Sequence, residues 1–417
     1  MACATCKSAG KRHKTLIAKS RSLRKVALAA IAGAWISISA ANAQPREANF
    51  DSVLRELWPL AQAQGTSRAT FDLAFRGLTP DSRVEALTKR QPEYGKPVGD
   101  YVASVVSSSR IETGKQKATQ WSTTFDRVDK DFGVDRGILL GIWGIETSFG
   151  GAKDRWDVLR SLATLVYINY RAPYFRKELL AALKILQDGH VTREKFLGSW
   201  AGAMGQPQFM PSNFYEYAID FSGDGRRDIW NTVPDVLGSM GNYLKKEGWA
   251  PDLHWGFEVA LPKDFDMMRS RAIFSEWTAL GLRRADGVAL PKDGDGILFF
   301  PSGAAGPAFL VTRNFNVIKL YNNSDVYALA VGHLADRIRG GGRLRSSWPQ
   351  SDRQLPREER IALQKKLAER GHKVRDFQGR MDFDLRDAIR IEQKRLGMTP
   401  DGHPTAQLLD QLGANAR

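Results

Sequence analysis

The sequence predicts a mainly α-helical protein with a small β segment, followed by a compact three-helix unit at its C-terminal end. Apolar residues recur at helical spacing through most of the chain, namely over residues 50–130, 135–149, 158–188, 234–247 and 324–339. The stretch 250–320 differs because it holds two short β-rich runs, Gly296–Phe300 and Ala308–Val311, joined by a Pro/Gly/Ser turn. Three further helical patterns occupy residues 358–413.

The first 43 residues have the pattern of a secretory signal. They carry eight Lys or Arg and no acidic residue, then an apolar run from Val26 to Ala40 and the cleavage pattern Ala41-Asn42-Ala43. The run is shorter than the ~20 residues of a spanning helix, which favours a cleaved signal over a membrane anchor. We therefore expect Sec-type export to the periplasm and no membrane span after cleavage. No Cys stands at the cleavage site, so a lipoprotein is not expected.

The composition is that of a soluble globular protein, with 42% hydrophobic and 26% charged residues. The net charge of +15 falls to +7 without the first 43 residues. A mildly basic surface suits an acidic polymer, although charge alone does not separate nucleic acid from a cell-wall polymer. The cysteines, Cys3 and Cys6, both precede the cleavage pattern. A mature chain would therefore have no disulfide, thiolate nucleophile or Cys-ligated metal.

The chain divides at a glycine-rich and polar stretch. Gly340 to Gly342 and the polar residues 343–357 predict a linker between a domain at 44–342 and the tail at 358–417. Such a linker indicates that the tail folds separately from the larger domain.

The segment 141–150, Gly-Ile-Trp-Gly-Ile-Glu-Thr-Ser-Phe-Gly, places an acidic residue on the apolar face of a helix. Asp135 is a candidate N-cap, and the pair Gly150-Gly151 a candidate end. Ile142 and Trp143 precede Glu146 by four and three residues, on the same face. Burial raises a carboxyl pKa, and a protonated acid is what glycosidic cleavage requires. The alternative is a buried Glu that only bonds the backbone.

The segment 201–213, Ala-Gly-Ala-Met-Gly-Gln-Pro-Gln-Phe-Met-Pro-Ser-Asn, combines glycines with amides. Glycines allow close approach of the backbone to a ligand. Gln206 and Gln208 offer donors and acceptors for sugar groups. Ser212 is predicted to cap a helix that begins at Asn213. The alternative is a tight loop between helices.

The segment 220–228, Asp-Phe-Ser-Gly-Asp-Gly-Arg-Arg-Asp, matches the first part of an EF-hand calcium loop, with glycine at position six. Position twelve is Asn231 instead of the usual Glu, and Asp235 is a candidate for the closing ligand. Asp-rich glycine turns also occur without metal.

These three segments, in this order, resemble the lytic murein transglycosylase B family over roughly residues 50–340. The resemblance implies an α-rich, lysozyme-like domain with a small β insertion. It implies cleavage between N-acetylmuramic acid and N-acetylglucosamine in peptidoglycan with formation of a 1,6-anhydro product, and Glu146 as the catalytic acid and base. It also implies a glycan cleft formed by Gln208, Tyr174, Tyr321, Tyr327, Ser148 and Met204. By the same likeness a structural Ca²⁺ would bind Asp220, Ser222, Asp224, Arg226 and Asp235, in a loop one residue longer than usual, and no other cofactor is required.

The tail at 358–413 resembles a peptidoglycan-binding domain of the three-helix type. Matching positions include Leu363-Gln364, Gln393 and Asp401-Gly402, whereas Asp382 stands where Gly is usual and Glu392 replaces an aromatic residue.

Two other functions stay open at this point, a lysozyme-like muramidase and a non-catalytic peptidoglycan-binding protein. An inverting hydrolase needs a second carboxylate to activate water, for which Asp154 and Asp157 are the nearest in sequence. The expected partners are peptidoglycan strands and cell-wall synthesis enzymes but not nucleic acid, and the expected state is a monomer.

Overall fold

The computed structural model describes residues 49–89, 96–152 and 156–414, so the predicted signal lies outside the described residues. A helical lobe comes first and consists of short amphipathic helices: α1 (Phe50–Glu56), α2 (Trp58–Ala63), α3 (Arg68–Phe75), α4 (Ser82–Lys89), α5 (Val98–Val105), α6 (Ser108–Gln120) and α7 (Ser122–Phe132). Within the described part of the chain, no helix has the length and apolar character needed to cross a membrane.

The central layer follows and contains α8 (Arg136–Thr147), β1 (Trp156–Asp157), α9 (Val158–Tyr167), α10 (Ala172–Gln187), β2 (Leu197–Gly198), α11 (Pro211–Tyr217) and α12 (Val233–Lys246). The helix predicted over 158–188 is two helices, because the chain turns at Asn169 and Arg171, which both have left-handed backbone angles. Pro173 in the first turn of α10 is the sequence signal for this break, since proline favours the start of a helix and disrupts its interior.

A five-stranded antiparallel sheet then forms, with the helix α13 beside it. The strands are β3 (Gly256–Ala260), β4 (Arg271–Ile273), β5 (Arg283–Arg284), β6 (Asp295–Phe299) and β7 (Ala308–Val311), in the order β4-β6-β7-β3-β5. The helix α13 (Phe274–Ala279) lies between β4 and β5 in the chain. The two predicted β-rich runs are confirmed as β6 and β7, which pair antiparallel and form a hairpin. In β7, Leu310 joins a small core with α13, while Phe309 joins the main core. Burial on both faces explains why β7 is continuously apolar instead of alternating.

Two helices, α14 (Arg313–Asn322) and α15 (Asp325–Ile338), close the larger domain. Helix α15 packs along α8 at very short range. A Cβ atom added to Gly141 of α8 would lie only 2.6 Å from the main-chain oxygen of Val331 in α15. The glycine therefore allows a contact between the two helices that any larger residue would push apart.

The tail forms α16 (Arg357–Glu369), α17 (Phe383–Arg395) and α18 (Ala406–Ala414) around its own apolar core. This C-terminal module also packs against the larger domain. Phe383 packs edge-on against Phe299, with ring centroids 5.8 Å apart. Asp325 at the start of α15 pairs with Lys319 of α14 and with Arg386 of the module, both at 2.7 Å.

The stretch predicted as a linker is also held in place. Main-chain N–H groups of Arg345 and Ser346 donate to the carboxylate of Glu258 in β3. Asp352 is buried and pairs with His403 of the module at 3.2 Å. Residues 343–356 have no helix or strand, as expected for a linker, but their contacts strap the module to the larger domain.

Candidate active site

Glu146 lies in the last turn of α8, where the sequence placed it. Asp135 is the N-cap, and its side chain accepts a hydrogen bond from the Ile138 N–H at 3.1 Å. The helix ends at Thr147, because Ser148 adopts a left-handed conformation before the glycine pair is reached. Trp143 on the same face is fully buried, whereas Glu146 is half-buried. The carboxylate therefore lies where the buried apolar stripe of α8 meets partly exposed surface.

The hydroxyl of Tyr327 donates a hydrogen bond to Glu146 Oε1 at 2.6 Å. Tyr327 is in the first turn of α15 and is buried. Burial raises the pKa of its hydroxyl well above the usual range, and the neighbouring Glu146 raises it further. The phenol is therefore a neutral donor, and the close contact between α8 and α15 holds it against the acid.

Tyr321 and Gln208 lie on the other side of this pair. The Tyr321 ring stacks on Tyr327 with centroids 6.5 Å apart, and its hydroxyl donates to the Pro207 oxygen at 2.7 Å. Burial and the charge of Glu146 raise the pKa of Tyr321 as well. Gln208 has a left-handed backbone and its Nε2 donates to the Gly205 oxygen at 2.8 Å. The structure thus joins the 201–213 loop to the acid through two tyrosines.

Other residues of the 201–213 loop make contacts within the protein that hold the loop in place. The Gln206 amide accepts from the Trp143 indole and donates to the Trp230 oxygen, both at 2.9 Å, so it ties the loop to α8 and is not placed to bind sugar. Met204 was predicted to contact glycan but is fully buried, and its side chain supports the loop from within. Gly205 faces the main-chain oxygen of Ile229, so its lack of a side chain serves protein packing.

Ser212 is not the helix cap that the sequence suggested, since α11 already begins at Pro211. Its hydroxyl and its N–H donate to the carboxylate of Glu178 in α10, both at 2.9 Å. Glu178 is almost fully buried and was missed in the sequence, where it sits in an ordinary amphipathic helix. It fixes the helix that carries Tyr174 to the end of the loop.

Tyr174 and Ser148 are the more accessible of the predicted glycan contacts. Tyr174 is 38% exposed in the first turn of α10, with the Arg171 guanidinium 4.9 Å from its ring centroid. Ser148 is exposed directly after the helix of the acid. An exposed phenol next to a cation, and a hydroxyl at the end of α8, are groups that a sugar polymer can bind.

The predicted metal loop brings Asp220, Asp224 and Asp235 together, with carboxylate oxygens within 4.8 Å of one another. Asp235 is fully buried in the first turn of α12 and accepts hydrogen bonds from the N–H groups of Phe221, Ser222 and Asp228. The longer loop therefore returns to Asp235, past Asn231.

The side chains of Ser222 and Arg226 sit less directly at the cluster. The Ser222 hydroxyl donates to Asp220 at 3.2 Å, and Arg226 is exposed with its N–H bonded to Asp224 at 2.9 Å. For Arg226 the main-chain oxygen is the only group that suits a cation.

The carboxylate of Asp157 has a structural role. It caps α9 through the Arg160 N–H at 3.0 Å and pairs with Arg193 at 2.6 Å. Asp154 lies outside the described residues. The geometry of Asp157 therefore does not favour it as a base for water.

Comparison with protein families and solved structures agrees with this fold. A model of the transglycosylase SLT domain matches residues 49–336, and a model of a putative peptidoglycan binding domain matches residues 356–412. The chain belongs to the lytic murein transglycosylase B family, a family of peptidoglycan-cleaving lytic transglycosylases.

Individual relatives share much of the chain. The membrane-bound lytic murein transglycosylase B of Escherichia coli is 32% identical over 245 residues, which is 57% of this chain and just under two thirds (66%) of that protein. The structure of SltB3 from Pseudomonas aeruginosa in complex with NAG-anhNAM-pentapeptide is 42% identical, with a TM-score of 0.78 over 88% of this chain and 99% of that chain. The Escherichia coli lytic transglycosylase Slt35 in complex with calcium is 26% identical, with a TM-score of 0.58 over 70% and 92% of the two chains.

Proposed function

We propose that this protein cleaves the β-1,4 bond between N-acetylmuramic acid and N-acetylglucosamine and leaves a 1,6-anhydro ring on the muramic acid. The observation that carries the proposal is the half-buried acid Glu146 held by the Tyr327 hydroxyl at 2.6 Å. The relative SltB3 from Pseudomonas aeruginosa binds NAG-anhNAM-pentapeptide, which contains the anhydro group.

In the proposed reaction the carboxylic acid of Glu146 gives its proton to the glycosidic oxygen as the bond to the muramic C1 breaks. The resulting carboxylate then takes the proton of the muramic C6 hydroxyl, and the C6 oxygen bonds to C1. No water is consumed, and Glu146 ends protonated as it began. The Tyr327 hydroxyl supports the carboxylate between the two steps because a hydrogen bond to the charged form stabilises it.

An intramolecular nucleophile also explains why the site can work with amide and phenol groups around the acid. The C6 hydroxyl is already tethered to the reacting sugar, so its effective concentration is very high. The muramidase alternative needs a base to activate water, and Asp157 is already bound in an ion pair. A non-catalytic binding protein would not require an acid that is supported by a tyrosine hydroxyl, as Glu146 is by Tyr327.

Mass spectrometry of the muropeptides released from purified sacculi separates these functions. We expect ends in 1,6-anhydro-muramic acid, which are lighter by one water than reducing ends and resist borohydride reduction. Reducible ends as the main product would establish the muramidase instead. No release at all from sacculi would favour the non-catalytic binding protein.

We also propose that the loop around Asp220, Asp224 and Asp235 binds a structural Ca²⁺, supported by Ser222 and the Arg226 main-chain oxygen. Hard oxygen ligands are those that Ca²⁺ prefers, and the three carboxylates converge within 4.8 Å. The related Slt35 of Escherichia coli forms a complex with calcium. No role in the reaction is assigned to the ion.

Calcium should raise the melting temperature of the protein, because an ion that binds the folded state stabilises it by about 2.7 kcal/mol at 100 times its Kd. Asp224→Ala should abolish this increase, while Asp293→Ala, in the similar Asp-Gly sequence outside the cluster, should keep it. A melting curve that does not change up to millimolar calcium would reject the site.

We further propose that the protein acts as a monomer on peptidoglycan strands in the periplasm, after Sec-type export and without a lipid anchor. Because peptidoglycan lies outside the cytoplasm, the proposed substrate supports a location outside the cytoplasm. Cell-wall synthesis enzymes are the proposed protein partners, and nucleic acid is not a proposed ligand.

A further inference from the structure

A cavity of about 110 Å³ lies between the larger domain and the C-terminal module. One water occupies about 30 Å³ in the liquid, so the cavity can hold a small charged group and the carbon atoms beside it. Its wall includes Tyr327, the tyrosine that donates to Glu146. The cavity therefore begins one side chain away from the proposed reaction.

The wall of the cavity is cationic. The basic residues in its lining are Lys96, Lys319, Arg360 and Arg386, and Asp325 is the acidic residue among them. Lys319 and Arg386 both pair with Asp325, which compensates one of these positive charges. A cleft that keeps an excess of one sign of charge attracts ligands of the opposite sign.

The lining also offers polar donors. Arg386 is buried, and its Nε has no hydrogen-bond partner among the residues that the structure describes. The exposed amides of Asn322 and Asn323 lie at the turn between α14 and α15, on the same wall. A buried donor without a partner is costly, and an anionic ligand would satisfy it.

Resting on the proposed function, we propose that this cavity binds a carboxylate of the peptide that is attached to the muramic acid. The muramic acid at the scissile bond carries this peptide, so the peptide starts within one sugar of Glu146. The C-terminal module contributes Arg360 and Arg386, and it is therefore part of the substrate site as well as a wall-binding domain.

Calorimetric titration of the full-length protein with a soluble stem tetrapeptide tests the proposal without any cleavage. We expect binding to wild type and to Glu146→Gln alike, and binding at least roughly fivefold weaker when the peptide carboxylates are amidated, as expected for the loss of one close charge pair. Equal binding of the free and the amidated peptide would overturn the proposal.

The position of the site is tested by Lys96→Gln and Arg360→Gln, each of which should weaken tetrapeptide binding by roughly fivefold. Lys292→Gln is the matched control, because Lys292 is exposed and does not line the cavity. A loss of binding in the control that equals the loss in the two variants would show that overall charge, and not this cavity, binds the peptide.

Kinetics then separate this proposal from the proposed function. Wild type should have a lower KM for glycan strands with peptides than for strands stripped of them, and the ratio should approach one in Lys96→Gln. Anhydro ends on stripped strands with no preference for peptides would support the proposed function and reject the cavity. Peptide binding without anhydro products would support the cavity proposal and reject the proposed function.

Discussion

The cleft around Glu146 and the interface between the larger domain and the C-terminal module are built on different principles. In the cleft, the acid receives a hydrogen bond from a neutral phenol, and apolar helices α8 and α15 hold the two groups together. At the interface, the buried Asp325 lies between Lys319 and Arg386. A neutral phenol supports a carboxylate by a hydrogen bond without a counter-charge, whereas two cations hold a carboxylate in its charged form.

The largest effect is expected in the cleft. Glu146→Gln has nearly the same shape but cannot transfer a proton, so the rate of sacculus lysis should fall by at least about 10²- to 10⁴-fold. The melting temperature should stay close to that of wild type, because Gln can still accept the Tyr327 hydrogen bond. Lysis at nearly the wild-type rate would remove Glu146 from its proposed role.

The interface should respond in stability. Asp325→Asn leaves two cations without their buried counter-ion, which costs about 3–5 kcal/mol in the free energy of unfolding. Asp384→Asn is a matched control at the same interface, since Asp384 and its partner Arg271 are well exposed and such a pair contributes about 0–1 kcal/mol. Urea unfolding at pH 7 measures both values. An equal loss of unfolding free energy in the two variants would show that the buried and the exposed ion pairs stabilise the interface to the same extent.

The same pair has a predictable pH dependence. Burial opposes ionisation of Asp325, but Lys319 and Arg386 hold its pKa below the usual 3.8. A carboxylate with a lowered pKa stabilises the fold above its unfolded pKa and loses this contribution as the pH falls through the folded value. The stability difference between wild type and Asp325→Asn should therefore be complete at pH 7 and shrink only below about pH 3.8.

The smallest effect should come from the tyrosines. Tyr327→Phe removes a hydrogen bond to a charged group, worth about 1.5–3 kcal/mol, so kcat should fall by about 10- to 100-fold. Tyr321→Phe is the control, because its hydroxyl donates to the main-chain oxygen of Pro207 and the loss should be smaller. A larger loss for Tyr321→Phe would show that loop position matters more than support of the acid.

Local patterns predicted the parts of the molecule that depend on neighbouring residues. The cap at Asp135, the face of Glu146 and the hairpin of β6 and β7 all follow from spacing and propensity. The strands β3 to β5 and the helix α14 were not predicted, since they are short and their burial depends on partners far along the chain.

Two residues of the C-terminal module that depart from the family pattern, Asp382 and Glu392, show the same difference between local and long-range determinants. Asp382 caps α17 by accepting from the Leu385 N–H, a role that its position before a helix allows. Glu392 is buried and paired with His372 at 2.8 Å, 20 residues away, which no local pattern indicates. Both residues are thus used by the fold, where the sequence showed only deviations from a family pattern.

The sequence by itself determined the helical class, the family and the position of Glu146 in the last turn of α8, because each depends on residue types at short spacings. Only the tertiary structure decided that Gln206 serves the fold, that Asp235 joins Asp220 and Asp224 in one carboxylate cluster, and that the C-terminal module packs against the larger domain. These outcomes depend on contacts between residues far apart in the sequence, such as Asp325 and Arg386, which are 61 positions apart. A linker-like composition does not prevent such a contact, because the entropy cost of closing a loop rises only slowly with loop length. The buried charges that meet at the interface then favour packing of the C-terminal module against the larger domain.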